Sequence, residues 1–165
     1  KRFETRIEEM NAYYLHKNIA VIHKKPTPMR IVNQKGGILT AVFSEASTTD
    51  FNGIYKGRYI DFDAKQTSIK TSFPLKNVGR HQYRHLLSIR NHGGVAFLLV
   101  RFSKLEEVYV LPIEILSRYW EEALKGGRKS IPYDTFKEEC ISVKDYDYLE
   151  AVEQYIAKYD YFKEF

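Results

Sequence analysis

Apolar residues recur along the chain at intervals that predict both helices and strands. Phe3, Ile7 and Met10 repeat at helical spacing with charged residues between them, which predicts an amphipathic helix over 2–17. Further helices are predicted at about 78–91, 113–125 and 147–159. Short apolar or alternating runs predict strands at 19–22, 38–43, 58–67, 95–102 and 107–112. This order predicts an α/β fold in a single domain over 1–165, with a mixed central β-sheet flanked by helices.

Alternation within one predicted strand places acids and a lysine on a common face. Successive side chains of a strand point to opposite faces of the sheet, so Asp61, Asp63 and Lys65 share one face. Ile60 and Phe62 share the other face and are expected to enter the core. An acid and a lysine two residues apart can meet over one phosphate, where the carboxylate holds a divalent cation and the ammonium stabilises negative charge. The alternative is a half-exposed strand with a surface ion pair.

A turn is predicted between this strand and a further acid upstream. Asn52-Gly53 is typical of the tight turn in a β-hairpin, and such a turn is expected to bring Asp50 back against Asp63. Two carboxylates supplemented by neutral oxygens suit Mg²⁺, which accepts few protein ligands. Asp50 alone has a simpler interpretation as a turn-capping aspartate.

The net charge of +5 is unevenly distributed along the sequence. Residues 1–104 hold 18 Lys and Arg against 7 Asp and Glu, whereas residues 105–165 hold 8 against 14. A basic half of this kind favours a cationic face for a polyanion such as nucleic acid. The alternative is a solvated face without a partner.

Two features bear on the cellular environment. Cys140 is the single cysteine, so no internal disulfide is possible and a reducing, cytoplasmic environment is expected. The longest apolar run, 95–100, is far shorter than the roughly 20 residues that span a membrane, so no membrane association is expected.

Other residues offer competing chemistry. His81 and His85 are spaced by one helical turn, as in some zinc sites, but no third Cys or His ligand is near in the sequence. We therefore favour a surface pair beside phosphate. Tyr119 and Trp120 are predicted to be core or dimer contacts rather than a platform for stacking bases.

Four segments of the chain resemble the RecU family of Holliday junction resolvases, and the resemblance covers nearly the whole length. They are 19–28 (IAVIHKKPTP), 47–65 (STTDFNGIYKGRYIDFDAK), 70–77 (KTSFPLKN) and, more weakly, 126–130 (GGRKS). The resemblance implies a restriction-endonuclease-like fold. It also implies a Mg²⁺-dependent endonuclease, with Mn²⁺ able to substitute, that resolves four-way DNA junctions by paired symmetric nicks in homologous recombination and DNA repair.

The resemblance also assigns roles to individual residues. It implies a metal site formed by Thr48, Asp50, Asp63 and Gln82. Asp50, Asp63 and Lys65 are then the catalytic residues, with Lys65 stabilising the transition state. The basic residues expected to contact backbone phosphates of DNA are Lys24, Lys25, Lys56, Arg58, Lys76, Arg80 and Arg84.

Partners follow from the geometry of the implied substrate. A four-way junction presents two strands of like polarity related by a two-fold axis, so a homodimer would place identical sites opposite each other. The family resemblance adds recombinase and branch-migration proteins as possible partners.

The sequence departs from the family in two places. Position 63 holds Asp where the family usually has Glu, so the metal must sit closer or be reached through water. The stretch over about 33–46, within the projecting stalk expected at about 31–47, is shorter than the family's stalk, which reaches into the centre of the junction. Either the stalk is truncated here, or part of it is missing from the sequence. Two other functions remain open: a related nuclease acting on flaps or plain duplex, and a non-cleaving DNA- or RNA-binding module that bends or anneals strands.

Overall fold

The computed structural model describes residues 2–43 and 48–159 and contains a mixture of helices and strands. The helices are α1 (Arg2–His16), α2 (Arg80–Asn91), α3 (Ile113–Leu124), α4 (Tyr133–Glu139) and α5 (Tyr148–Tyr159), with a 3₁₀ turn at Leu75–Asn77. The strands are β1 (Val21–Lys24), β2 (Met29–Lys35), β3 (Ile38–Phe43), β4 (Phe51–Tyr55), β5 (Arg58–Thr67), β6 (Ser72–Pro74), β7 (Val95–Phe102), β8 (Glu107–Pro112), β9 (Ser130–Pro132) and β10 (Ile141–Val143).

A six-stranded sheet in the order β1-β4-β5-β7-β8-β10 forms the centre of the molecule. Strands β5 and β7 are parallel and joined through α2, while the other neighbours are antiparallel. The central strands β5 and β7 carry long buried runs because helices cover both faces of the sheet. The predicted α/β class, with a mixed central sheet flanked by helices, is confirmed.

The two faces of the sheet bury separate clusters of apolar side chains. One cluster contains Phe62 and Phe97, whose rings stack with centroids 4.8 Å apart, together with residues of α1 and α5. The other contains Leu98 and residues of α2, α3 and α4. Adjacent residues of β7 thus pack into clusters on opposite faces of the sheet, because successive side chains of a strand point to opposite faces.

The predicted turn at Asn52-Gly53 is wrong, although the predicted hairpin exists. Both residues lie inside β4, and the turn falls at Lys56-Gly57, where φ is positive at both positions (50° and 77°). Gly53 instead allows β4 to approach β1 closely, because a Cβ built on it would lie 2.0 Å from the carbonyl oxygen of Val21 in β1.

Several short elements were not predicted from the sequence. Strands β2, β4, β6, β9 and β10 and helix α4 are absent from the prediction, which placed a turn where β4 lies. Two predicted elements are displaced: β1 lies two residues later than the predicted 19–22, and α2 begins two residues later than predicted. The segment preceding α2 forms the 3₁₀ turn, and the helix begins at Arg80. No helix in the described part of the chain has the length and apolar character needed to cross a bilayer.

Strands β2 and β3 form a two-stranded sheet of their own, separate from the central sheet. Every residue of β2 is exposed, and β3 contributes the exposed Ile38 and Leu39. The stalk predicted at about 31–47 falls on this hairpin as far as residue 43, and residues 44–47 lie outside the described residues. Its use in binding a junction stays a prediction.

Candidate active site

The site is built on strand β5, on the face of the sheet to which Asp61, Asp63 and Lys65 point. Ile60 and Phe62 are fully buried in the core beneath α1 and α5. Asp61 and Asp63 point to the opposite face and are also buried, with 0% and 2% of each residue exposed. The common face predicted for Asp61, Asp63 and Lys65 is therefore confirmed, and the simple surface ion pair is not what the strand presents.

Asp63 is the meeting point of the predicted catalytic residues. Its carboxylate accepts a hydrogen bond from the backbone N–H of Asp50 at 2.8 Å. The ammonium of Lys65 lies 2.9 Å from Asp63 Oδ2, and the amide of Gln82 donates to the same oxygen at 3.3 Å. Antiparallel pairing of β4 with β5 produces the first contact, because Phe51 is paired with Phe62 and the preceding residue then lies beside Asp63.

Asp50 is crowded by other carboxyl groups. Its pKa is raised to about 7, first because burial disfavours the carboxylate and then because Asp63 and Glu4 repel its charge. Glu4 lies on α1 and shares a hydrogen bond with Asp50. Burial opposes ionisation of Glu4, but its bond to Lys24 at 3.0 Å keeps the Glu4 pKa below the ordinary value.

Glu4 is the site residue that the sequence analysis missed. Three carboxyl groups, those of Glu4, Asp50 and Asp63, follow one another across the site, with Lys24 at one end and Lys65 at the other. The helical pattern explained Glu4 as one of the charges on the outer side of α1. Only the packing of α1 beside β1 shows that this charge faces Asp50.

Asp61 occupies a different environment from Asp63. Four side chains donate hydrogen bonds to its carboxylate: Thr49, Lys25 (3.2 Å), Tyr59 (2.8 Å) and His85 (2.9 Å). A carboxylate accepts about four hydrogen bonds, so this one is saturated. It forms an anchor among β1, β5, α2 and the segment before β4.

Thr48 and Gln82, the other two predicted metal ligands, have different neighbours: Thr48 contacts Lys25, and Gln82 contacts Asp63. Thr48 accepts a hydrogen bond from Lys25 at 3.3 Å, which places its hydroxyl next to the anchor around Asp61. Gln82 is the third residue of α2, and its amide oxygen accepts from the backbone N–H of Gly79 at 3.1 Å. That oxygen keeps a second lone pair, because a carbonyl oxygen can accept two hydrogen bonds.

The predicted DNA contacts divide into an exposed group and an occupied group. Lys76, Arg80 and Arg84 are exposed and flank Gln82 on the chain. Lys25 instead turns inward and donates to Thr49 at 2.6 Å, so its ammonium positions the site.

The remaining three basic residues predicted to contact DNA either bond an acid or lie far from Asp63. Lys24 bonds Glu4, and Lys56 bonds Glu153 on α5 at 2.8 Å. Arg58 lies at the far end of the β4–β5 hairpin, five residues from Asp63, which at about 3.3 Å per residue is roughly 17 Å away. Lys56 lies in the hairpin turn beside it. Contact of any of these basic residues with DNA stays a prediction.

The donor set fits a hard divalent cation with few protein ligands. Within 2–43 and 48–159, nowhere do three or more His, Cys, Asp or Glu side chains form a group able to hold a metal ion. His81 and His85 accordingly have no third ligand for zinc. Asp50 and Asp63 form a crowded carboxyl pair, and such a pair with a few neutral oxygens suits Mg²⁺ because this ion keeps most of its waters. The Thr48 hydroxyl lies at Lys25 and Gln82 turns its amide nitrogen to Asp63, so the part of these two residues in a metal site stays a prediction.

Comparison with known proteins agrees with the resemblance seen in the sequence. The family model described as "Recombination protein U" (RecU) matches residues 1–156. The chain belongs to the RecU family. The Holliday junction resolvase RecU of Oceanobacillus iheyensis is 45% identical over 162 residues, covering 92% of this chain and 83% of the relative. That of Geobacillus sp. strain WCH70 is 50% identical over 135 residues, covering 78% and 67%.

A solved structure with a more distant sequence is also similar. Archaeoglobus fulgidus Hjc, a Holliday junction resolvase from an archaeal hyperthermophile, superposes with a TM-score of 0.48 at 13% sequence identity. The superposition covers 81% of this chain and 91% of that one.

Proposed function

We propose that this RecU-family chain is a Mg²⁺-dependent, structure-selective endonuclease that resolves four-way DNA junctions. The observation that carries the proposal is the cluster at Asp63, where a second, half-buried carboxyl group, a lysine and an amide converge within one chain of this family. The RecU relatives are named Holliday junction resolvases, which supports the substrate class.

Asp50 and Asp63 would hold the metal, with Thr48 and Gln82 completing the set of protein oxygens. Bound there, Mg²⁺ supplies a Lewis acid for the phosphate oxygen and lowers the pKa of a coordinated water. The raised pKa of Asp50 supports this assignment, because a nearby cation relieves the repulsion among Asp50, Asp63 and Glu4.

Lys65 contributes positive charge on the substrate side of Asp63. Its ammonium is 2.9 Å from the carboxylate and 18% exposed, so it is preorganised by that ion pair while still open to a phosphate. A cation fixed at this place stabilises the additional negative charge that develops on the phosphate in the transition state. Asp63 therefore has two tasks: it holds the metal and it orients Lys65.

Selectivity for junctions is proposed to come from symmetry and from phosphate contacts. A homodimer with two-fold symmetry would face two strands of like polarity with identical sites and make paired nicks. Lys76, Arg80 and Arg84 are exposed beside Gln82 and are suited to contact backbone phosphates without reading bases. Recombinase and branch-migration proteins are the partners expected in homologous recombination and DNA repair.

The test is cleavage of an end-labelled four-way junction in Mg²⁺, with linear duplex of the same sequence as the second substrate. We expect the wild type to nick the junction symmetrically and to leave the duplex largely intact. Asp63→Ala is expected to bind the junction with unchanged affinity and to cut nothing.

Each competing function has its own signature in the same assay. Cleavage of duplex or flaps at the rate of the junction would indicate a related nuclease of different selectivity. Binding that survives EDTA, with no nicking at any Mg²⁺ concentration, would indicate a non-cleaving module. Loss of binding in Asp63→Ala would indicate misfolding, so circular dichroism of the variant is recorded in parallel.

A further inference from the structure

An apolar cavity of about 450 Å³ opens beside the N-terminal end of α2. The 3₁₀ turn and its flanks form one wall, and the last turn of α3 forms the other. Its apolar lining consists of Pro74, Leu75, Val78, Trp120, Ala123 and Leu124. The volume lies within the roughly 300–1,000 Å³ typical of small-ligand sites. None of the residues assigned to the active site contributes to it.

The floor of this cavity is an aromatic ring held in place from below. Trp120 stacks on the buried Tyr83 with ring centroids 4.4 Å apart and an interplanar angle of 12°. Its indole is half-buried and also lines the cavity. Tyr83 is in turn fixed by Ser117, whose hydroxyl lies 3.0 Å away. A rigid indole of this kind can accept a second flat ring, because aromatic systems stack favourably when offset.

Three cations surround this apolar floor. Lys76, Arg80 and Lys129 line the cavity, and all three are exposed. In the described part of the chain, none of them takes part in an ion pair. An apolar partner would not require three cations at the rim, whereas a flat ring that carries a phosphate would complement both the floor and the rim.

The cavity lies close to the active site along the chain, and hydrogen bonds hold its walls together. Arg80 is two residues before Gln82, which donates to Asp63, and Gly79 between the cavity and the site bonds the Gln82 amide oxygen. On the other wall, the backbone N–H of Leu75 donates to the carbonyl of Lys129 at 3.0 Å and joins the 126–130 segment to the turn. The cavity and the acids therefore meet at the N-terminal end of α2.

We propose that this cavity binds one unstacked nucleotide of the DNA held at the active site. The base stacks on Trp120, while the adjoining phosphates are contacted by Lys76, Arg80 and Lys129. The inference rests on the proposed function for the identity of the nucleic acid. It adds a binding site that discriminates opened from fully stacked DNA, because a base inside an intact duplex cannot reach the indole.

Trp120 is the only tryptophan in the chain, so its fluorescence reports on the cavity directly. The probe is a short single-stranded oligothymidylate in EDTA, compared with an abasic oligomer carrying the same phosphates. We expect oligothymidylate to quench the fluorescence and the abasic oligomer to bind about ten-fold more weakly, as expected for one base stacked on an aromatic ring. Equal affinity for the two oligomers would overturn the proposal.

Two pairs of variants separate the floor from the rim. Leu124 is 72% exposed, so Leu124→Glu should fold normally while placing a carboxylate where a phosphate is expected. We expect it to weaken oligothymidylate binding about ten-fold, and Leu124→Met to leave the affinity within about two-fold. Lys129→Gln should reduce the slope of log K against log salt by about 0.7, and the exposed Lys104→Gln should not.

The remaining outcomes are equally decisive. If Leu124→Glu converts a dimer into a monomer in sedimentation velocity and leaves oligothymidylate affinity unchanged, the cavity is a subunit interface and the proposal is wrong. Failure of the proposed function looks different: the wild type would not cut junctions in Mg²⁺, yet the quenching and its loss in Leu124→Glu would persist.

Discussion

Asp61 and Asp63 are two buried carboxylates, two residues apart on one strand face, with opposite surroundings. Asp61 is enclosed by four donors from four parts of the chain. Asp63 faces the Asp50 carboxyl on one side and Lys65 on the other. Each has a lysine partner at about 3 Å, so burial and ion pairing do not distinguish them.

What distinguishes the two acids is whether another carboxyl group lies against them. The Asp61 carboxylate has its hydrogen-bonding capacity filled by the protein, which ties the surrounding segments together. The Asp63 carboxylate is next to another acid, an arrangement that costs stability until a cation arrives. A neighbouring carboxyl group, rather than burial or ion pairing, therefore marks the candidate catalytic group.

The largest expected effect is on cleavage by Asp63→Asn. Removal of this ligand charge should lower junction cleavage on the order of 10⁴-fold or more, because bound metal supplies several kcal/mol of transition-state stabilisation. Unfolding in urea should show a smaller loss of stability than Asp61→Asn, because relief of the repulsion with Asp50 offsets part of the cost of breaking the ion pair with Lys65. A large loss of stability would erase the distinction from Asp61.

Asp61→Asn should show the reverse pattern. The substitution leaves Lys25 and His85 facing a neutral amide in a buried place, which for a broken buried ion pair costs about 3–5 kcal/mol. Urea unfolding at fixed pH measures this loss, and residual cleavage per folded molecule should exceed that of Asp63→Asn. An Asp61→Asn variant as stable as wild type would show that the anchor is not structural.

The two lysines sharpen the same contrast. Lys65→Gln should lower kcat by about 10²–10³-fold, as removal of one preorganised transition-state donor does. Lys25→Gln should retain a kcat within about ten-fold of wild type and lose about 1.5–3 kcal/mol of stability instead, because its ammonium bonds a buried carboxylate. Single-turnover cleavage and urea unfolding, performed on both variants, separate the two roles.

The smallest expected effect is stabilisation by Mg²⁺ alone. An ion that binds only the folded chain at 100 times its Kd adds about 2.7 kcal/mol of stability, seen as a rise in Tm. We expect this rise in wild type and in Lys25→Gln, and not in Asp63→Asn. An equal rise in all three would place the ion elsewhere.

Much of this site could be predicted from local pattern. Period-two alternation correctly placed Asp61, Asp63 and Lys65 on one face, because the pleat of a strand imposes that order. The hairpin between Asp50 and Asp63 was also correct although its turn was wrong. Lys56-Gly57 adopts positive φ without a strong turn dipeptide, and Gly53 was read as a turn residue when close strand packing requires it.

Other parts could not be predicted because they depend on distant contacts. Glu4 reaches Asp50 only through the packing of α1, and the pattern on that helix explains it equally well as a solvated charge. Lys25 was expected to contact DNA, as any lysine in a basic segment would be, but it bonds inward to Asp61. The three-residue strands β6, β9 and β10 are too short for periodicity to reveal.

By itself, the sequence determined the fold class, the family and the shared face of the acids and lysine, since each follows from residue order over short spans. The tertiary structure alone decided which acid is enclosed by donors only and which also faces another carboxyl group. That decision depends on donors contributed by Thr49, Tyr59 and His85 from separate elements. Electrostatic balance at a buried carboxylate is a sum over neighbours in space, and no spacing along the chain encodes that sum.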